Sequence, residues 1–437
     1  MHSYSLEGPA AAPPVLSSNP GATAKLFLDF DGDFQSSWGS YSNITTPAYD
    51  TNGDSFTFSS GEIASIQEIW ARVAEDYASF NIDVTTVAPG SLTNKVVAHV
   101  AVGGNGSWYG SAGGVAYIGG FYNSAPNVAY VFEDNLGNGF AKYVADASSH
   151  EAGHLFGLQH QSLWSGTTKS QEYYSGNSAW APLMGSSYSA TRSTWHNGTS
   201  SINSTSFQDD IAVIASSNND FGQKADDFAD TIATASQLPV NGGSVNFAGL
   251  LGYHTDTDIW KFTTGGGSVS FSLNAAALGP NLDSILELRN SSDSLLATSD
   301  PGGSLNASIS TTLGSGTFYV LARSNATYGN MGQYTLSGTL PANQAPTVDL
   351  IDTVTSLAEN TSTATDVRVA GLAVTDSDAG TNNLSLSGAD AASFAIVGNA
   401  LYLRAGTNLN FESKANFDSP SKLMTPRSAA LQTTAIP

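Results

Sequence analysis

"SSHEAGHLFGLQH" occupies residues 148–160. The chain holds seven histidines, and three of them, His150, His154 and His160, fall in this stretch. On a helix, His150 and His154 are four apart and share one face, one turn above the other. Two neutral imidazoles so placed can both reach one ion at about 2.0–2.1 Å. Glu151 is rotated to the side of that ion, where it can hydrogen-bond to a metal-bound water without being a ligand. Gly157 comes three residues after His154. A glycine can take the left-handed conformation that ends a helix and turns the chain. The turn lets His160 swing back as third ligand. A structural zinc site would need a fourth protein ligand, and the neighbourhood supplies neither a cysteine nor an obvious further histidine.

Outward from this stretch, the pattern predicts a helix over 141–157. Upstream, AKLFLDF (24–30) reads as a buried strand. SGEIASIQEIWARVAEDYASF (60–80) reads as a helix. Ser59 with Glu62 forms a capping box, and Ile63, Ile66, Ile69, Trp70 and Val73 make its apolar face. IDVTTV, NKVVAHVAV, GGVAYIGGF (113–121) and NVAYVFE read as further strands. SFQDDIAVIAS (206–216) suggests a third helix. Strands followed by a helix-borne motif point to an α+β domain. Two acidic stretches could start calcium loops: Asp29, Asp31 and Asp33, and Asp50, Asn52 and Asp54. The second fails the EF-hand spacing, because Gly53 is misplaced and Glu62 is better explained as a cap.

After residue 221 helical periodicity almost vanishes. Short alternating segments such as DIWKFTT, SVSFSLN and GTFYVLARS follow at a spacing typical of β-sandwiches. The division is therefore an irregular segment 1–22, a catalytic domain 23–221, a β-sandwich 222–340, a second β module 345–418 and a disordered tail 419–437. The formal net charge is −22, from 37 acidic and 15 basic residues. Such a chain repels phosphate backbones, so nucleic acid is not an expected partner. Without cysteine, disulfides, thiolate catalysis and cysteine-ligated zinc are excluded. No apolar stretch is long enough for a membrane span. The N-terminal residues lack the regions of a signal peptide, so an exported protein would have lost its signal or would start inside a longer reading frame.

The pattern H-E-x-x-H-x-x-G-x-x-H resembles the zinc signature of the metzincin metallopeptidases, and the order of sheet, helix and GGVAYIGGF is most similar to the matrixin/serralysin side. Those enzymes carry a methionine turn, and AWAPLMGSSY (179–188) places Met184 accordingly. The resemblance implies a secreted zinc endopeptidase acting on proteins or peptides. It makes His150, His154 and His160 the zinc ligands and Glu151 the general base. Met184 becomes the floor of the site. Tyr188 would stabilise the oxyanion, and Gly114, Val115, Ala116 and Tyr117 would form an edge strand that pairs with the substrate. Residues 225–338 resemble the bacterial pre-peptidase C-terminal domain, through DDFADT, DTDIWKF and YGNMGQYTLSG. Residues 345–418 resemble a cadherin-like repeat, through LAEN, TDSDAGTNN and LNFES. That likeness implies calcium on Glu359, Asp376, Asp378 and Glu412, and contact with an extracellular matrix or cell surface through the β modules. The alternative reading is a surface adhesion protein with an inactive peptidase domain.

Overall fold

The computed structural model describes residues 12–341, 347–375 and 384–417. In chain order the first domain contains β1 (Ala24–Asp29), a hairpin of β2 (Asp33–Trp38) and β3 (Tyr41–Thr46), helix α1 (Ser60–Asp76), β4 (Ile82–Thr85), β5 (Val97–Val102), β6 (Gly114–Val115), β7 (Val128–Val131) and helix α2 (Ala141–Leu155). Its sheet has the order β4–β1–β5–β7–β6. The first four strands are parallel, and β6 runs antiparallel to β7 at one edge.

Parallel strands are covered on both faces, which is why they read as unbroken apolar runs. On one face Leu26, Leu28, Val100 and Val131 pack under α1 and α2. On the other, Ala101, Val128 and Tyr130 lie under the hairpin residues Trp38 and Ile44. The capping box at the start of α1 is present: Ser59 accepts from the Glu62 amide, and the Glu62 carboxylate accepts from the Ser59 amide. Ile66, Ile69 and Val73 are buried, and the Trp70 indole donates to the Val84 carbonyl at 2.9 Å.

Three expected elements differ. The strand expected over 113–121 is only Gly114–Val115. Ala116 and Tyr117 lie beyond it, so they are not part of a paired edge. The reason is local: Gly119 has φ +75°, and the amides of Gly119 and Phe121 donate to the carbonyls of His154 and Leu155, wrapping this segment around the end of α2. Tyr117 instead packs 4.4 Å from Trp38, ring to ring. Helix α2 stops at Leu155, two residues short of expectation. The helix expected over 206–216 is a strand, Phe207–Asp209, followed by a five-residue helix, Asp210–Ile214, which Asp209 caps by accepting from the Ala212 amide.

Beyond residue 221 a five-stranded and a four-stranded sheet enclose a second core around Trp260, Phe262, Phe271 and Leu286. A further four-stranded sheet covers Val348, Val369, Phe394 and Leu403. No α-helix is present among the described residues after Ile214, and no helix among them is long and apolar enough to cross a membrane.

Candidate metal centre

Helix α2 buries two of the histidines and the glutamate between them: His150, Glu151 and His154 are each less than a tenth exposed. The helix ends in a Schellman arrangement. The Gly157 amide donates to the His154 carbonyl at 2.9 Å and the Leu158 amide to the Gly153 carbonyl at 3.0 Å. Gly157 has φ +106°, a conformation that an L side chain rarely adopts. This turn delivers His160 to the other two histidines. One ligand-capable nitrogen from each of the three lies within 4.8 Å of the others.

Each imidazole is oriented through Nδ1. His150 Nδ1 lies 2.8 Å from the Leu183 carbonyl, and His154 Nδ1 lies 2.7 Å from the Leu158 carbonyl. His160 Nδ1 lies 2.7 Å from Glu172 Oε1. Acceptors at all three Nδ1 positions fix the protons there and leave every Nε2 lone pair free. Burial, with the neighbouring histidines adding to it, holds His150 well below the ordinary histidine range and His154 down to about 4. Both rings are therefore neutral donors. Three converging imidazoles, with no fourth metal-capable side chain grouped with them among the described residues, fit a catalytic zinc ion, which keeps a coordination position open.

Glu151 completes the electrostatics. Its carboxylate takes no hydrogen bond from the described residues, and burial pushes it up to about 8. Beside a dication the same carboxyl is drawn back to its ionised form. It faces the edge strand closely. A Cβ at Gly114 would lie 2.7 Å from Glu151 Cγ, so this position has room for glycine only. Met184 is fully buried beneath the ligands, and a Cβ at Gly153 would meet its sulfur at 2.6 Å. Glycine between the ligands thus lets the thioether come up against α2, while the adjacent Leu183 carbonyl holds His150.

The structure brings His150, Glu151, His154, His160, Met184 and Gly114 together. Tyr188 stands nearby: a Cβ at Gly113 would lie 3.3 Å from its hydroxyl, and its ring packs 5.2 Å from Tyr143. Two residues beside the site escaped the sequence reading. Glu172 and Tyr173 follow a hairpin of β8 (Leu163–Ser165) and β9 (Thr168–Gln171). The Tyr173 ring lies 4.2 Å from that of His160 and 6.0 Å from that of His150. The Lys169 ammonium pairs with the second Glu172 oxygen at 2.5 Å. A charged residue twelve positions beyond a histidine carries no pattern, so only the hairpin's path could reveal it.

Residues 63–161 match a metallopeptidase family, M12B, reprolysin-like. The matched segment runs from α1 through the third histidine of the cluster, and peptidases of that family are zinc-dependent. No curated protein matches the chain. Solved structures similar to part of it include the pre-peptidase C-terminal domain of a Bacillus anthracis collagenase, at 18% identity over 24% of this chain and 94% of that one, with a TM-score of 0.20. Another is PliG of Aeromonas hydrophila, a periplasmic inhibitor of g-type lysozyme, at 11% identity over 24% and 96%, with a TM-score of 0.20. A third is the Yersinia pseudotuberculosis-derived mitogen, at 14% identity over 24% and 91%, with a TM-score of 0.19.

The candidate calcium residues are scattered. Asp376 and Asp378 lie outside the described residues. Glu359 accepts from the Phe411 amide at 3.3 Å, and no group of three metal-capable side chains forms around Glu359 or Glu412 among the described residues. Asp50 and Asp54 accept from backbone amides of their own turn. Asp29 and Asp33 do gather, with His99, and Asp226, Asp256 and Asp258 form another group in the second domain. His99 is unlike the three site histidines. Its Nε2 lies 2.8 Å from Asp29 Oδ2, and its buried Nδ1 has no partner. It is therefore read as one half of a histidine–aspartate pair beneath the hairpin.

Proposed function

We propose that this chain is a secreted zinc endopeptidase that hydrolyses peptide bonds in proteins. The observation that carries the reading is the set of three Nδ1-anchored histidines with Glu151 unpaired beside them. His150, His154 and His160 would hold the zinc, which when bound would supply Lewis-acid polarisation of the scissile carbonyl and make a water molecule more acidic. Glu151 takes the proton of the attacking water, holds it on its carboxyl, and returns it to the leaving nitrogen. The edge strand Gly114–Val115 pairs with the extended substrate backbone. Its glycine brings that backbone close to Glu151. Tyr188, from the methionine turn, donates to the developing oxyanion. The β modules would carry the enzyme to a matrix or cell surface.

Sheet order and the methionine turn support a metzincin; no observation singles out the matrixin/serralysin branch, and the family match is reprolysin-like. The test is hydrolysis of casein with and without a zinc chelator, followed by zinc re-addition. Loss and recovery of activity are expected. Proteolysis indifferent to the chelator would overturn the reading.

A further inference from the structure

The second domain is bound to the first through buried polar groups, not through a linker alone. Asn281, on a loop of the β-sandwich, donates from Nδ2 to Asp76 Oδ1 at 2.9 Å. The other Asp76 oxygen accepts from the Ser149 hydroxyl at 2.6 Å. Asn281, Asp76 and Ser149 are all nearly inaccessible. Ser149 immediately precedes His150.

A second line leaves the same domain from Tyr328. Its hydroxyl accepts from the Ile211 amide at 2.9 Å and donates to Asp209. Between those two contacts sits Asp210, fully buried, which accepts from Gln161 Nε2 at 2.8 Å and from the His196 amide at 2.9 Å. Gln161 immediately follows His160. Each line therefore ends one residue from a ligand, one at each end of the histidine set.

A third contact of the same interface does not. Gln333 donates from Nε2 to Glu75 at 3.0 Å and from its amide to the same carboxylate. Glu75 makes no hydrogen bond to the ligand segment among the described residues, although it precedes Asp76 and also accepts from the Asn281 amide at 3.5 Å. The Gln333 side chain therefore serves as a comparison: it docks the domain and reaches the ligand segment only indirectly.

We propose that the β-sandwich is a working part of the metal centre, with Asn281 and Tyr328 as positioning residues that hold the segments flanking His150 and His160 through Asp76–Ser149 and through Asp209–Asp210–Gln161. The inference rests on the zinc reading of the site. Buried hydrogen bonds of this kind hold their partners in place, and removing one leaves a costly orphan; Asn281 and Gln161 act here through their Nδ2 and Nε2 donors, their buried amide oxygens having no partner among the described residues. Outer-shell partners of metal ligands are worth about 10- to 100-fold in metal affinity. These two stand further out, so the lower end applies.

The test uses the full chain and reads zinc affinity by competition with a chromophoric chelator, with thermal stability recorded in parallel. Asn281→Leu and Tyr328→Phe are each expected to weaken zinc binding by about 10-fold. Gln333→Met is expected to lower thermal stability while leaving zinc affinity within about 2-fold of the parent. Tyr328→Phe removes one hydroxyl only and keeps the test alive if Asn281→Leu fails to fold. In a Ser149→Ala background, Asn281→Leu should weaken zinc binding less than it does alone, because the line is already cut. The proposal is overturned if Asn281→Leu and Tyr328→Phe leave zinc affinity unchanged, or if Gln333→Met weakens it as much as they do. A parent protein that binds no zinc would instead sink the peptidase reading on which the inference stands.

Discussion

Two of the three histidines are held quite differently from the third. His150 and His154 project from a buried helix, and their Nδ1 atoms meet backbone carbonyls. A backbone carbonyl in a packed core has little freedom and carries no net charge. His160 comes after the glycine turn and is partly exposed, and its Nδ1 meets the carboxylate of Glu172. Glu172 sits just past an exposed hairpin and shares its charge with Lys169. The site is thus a rigid pair completed by a third ligand whose orientation depends on side chains. The centre of the chemistry is built into the core, and its tuning is placed where water and salt reach it.

The comparison can be broken most severely at the rigid pair. His154→Ala should leave less than about one-tenth equivalent of zinc on the purified protein, because two imidazoles cannot replace three. Retention of near-stoichiometric zinc by elemental analysis would mean that another residue completes the site. Next comes Glu151→Gln, which changes no ligand. Zinc content should persist while peptide hydrolysis falls by at least ~10²-fold, the lower range for a lost general base. Near-normal rates would remove Glu151 from the proton path. Zinc lost as fully as in His154→Ala would place Glu151 in the coordination itself.

Gly157→Ala tests the joint between the two parts. Its φ of +106° is strained for alanine, and the added Cβ would lie 3.0 Å from the Tyr122 hydroxyl. A loss of about 1–3 kcal/mol in chemical denaturation is expected, with zinc affinity weakened as His160 is displaced. An unchanged midpoint would show that the turn tolerates other conformations. The smallest effect belongs to the tunable end. Glu172→Gln keeps a hydrogen-bond acceptor but removes the charge, so zinc affinity should fall by roughly 10-fold with the fold intact. Equal affinity at low salt would show that the carboxylate charge contributes nothing beyond orientation.

Much of the rigid pair was legible because it is local. A 3.6-residue repeat puts His150, Glu151 and His154 in register, a glycine marks the stop, and Ser59 with Glu62 marks a helix start. Each is a short-range rule with a fixed spacing. The apolar run GGVAYIGGF misled because hydrophobicity does not distinguish a strand from a turn packed on a helix end. There Gly119 and the carbonyls of α2 decide, and the latter lie far along the chain. Glu172 and Asn281 carry no local signature, and Tyr328, within YGNMGQYTLSG, carries none that points to the histidines. Their partners are set by how the hairpin and the second domain are seated, and seating is a property of the assembled fold.

Met331 belongs to the second domain in sequence but is buried in the hydrophobic core of the first, alongside Tyr77, Phe80 and Trp195. Close packing beside it leaves no space to spare: a Cβ at Gly329 would lie 2.2 Å from the Trp195 carbonyl oxygen, and one at Gly332 would lie 2.2 Å from a Glu75 oxygen. During synthesis the chain emerges from its N-terminal end, so all three histidines are made long before this plug exists. Until then the first domain lacks the Met331 side chain in its core, and Glu75 and Asp76 lack the partners that Gln333 and Asn281 provide. The first domain therefore reaches its finished packing only after residues of the second have been made, and the two are completed as one unit.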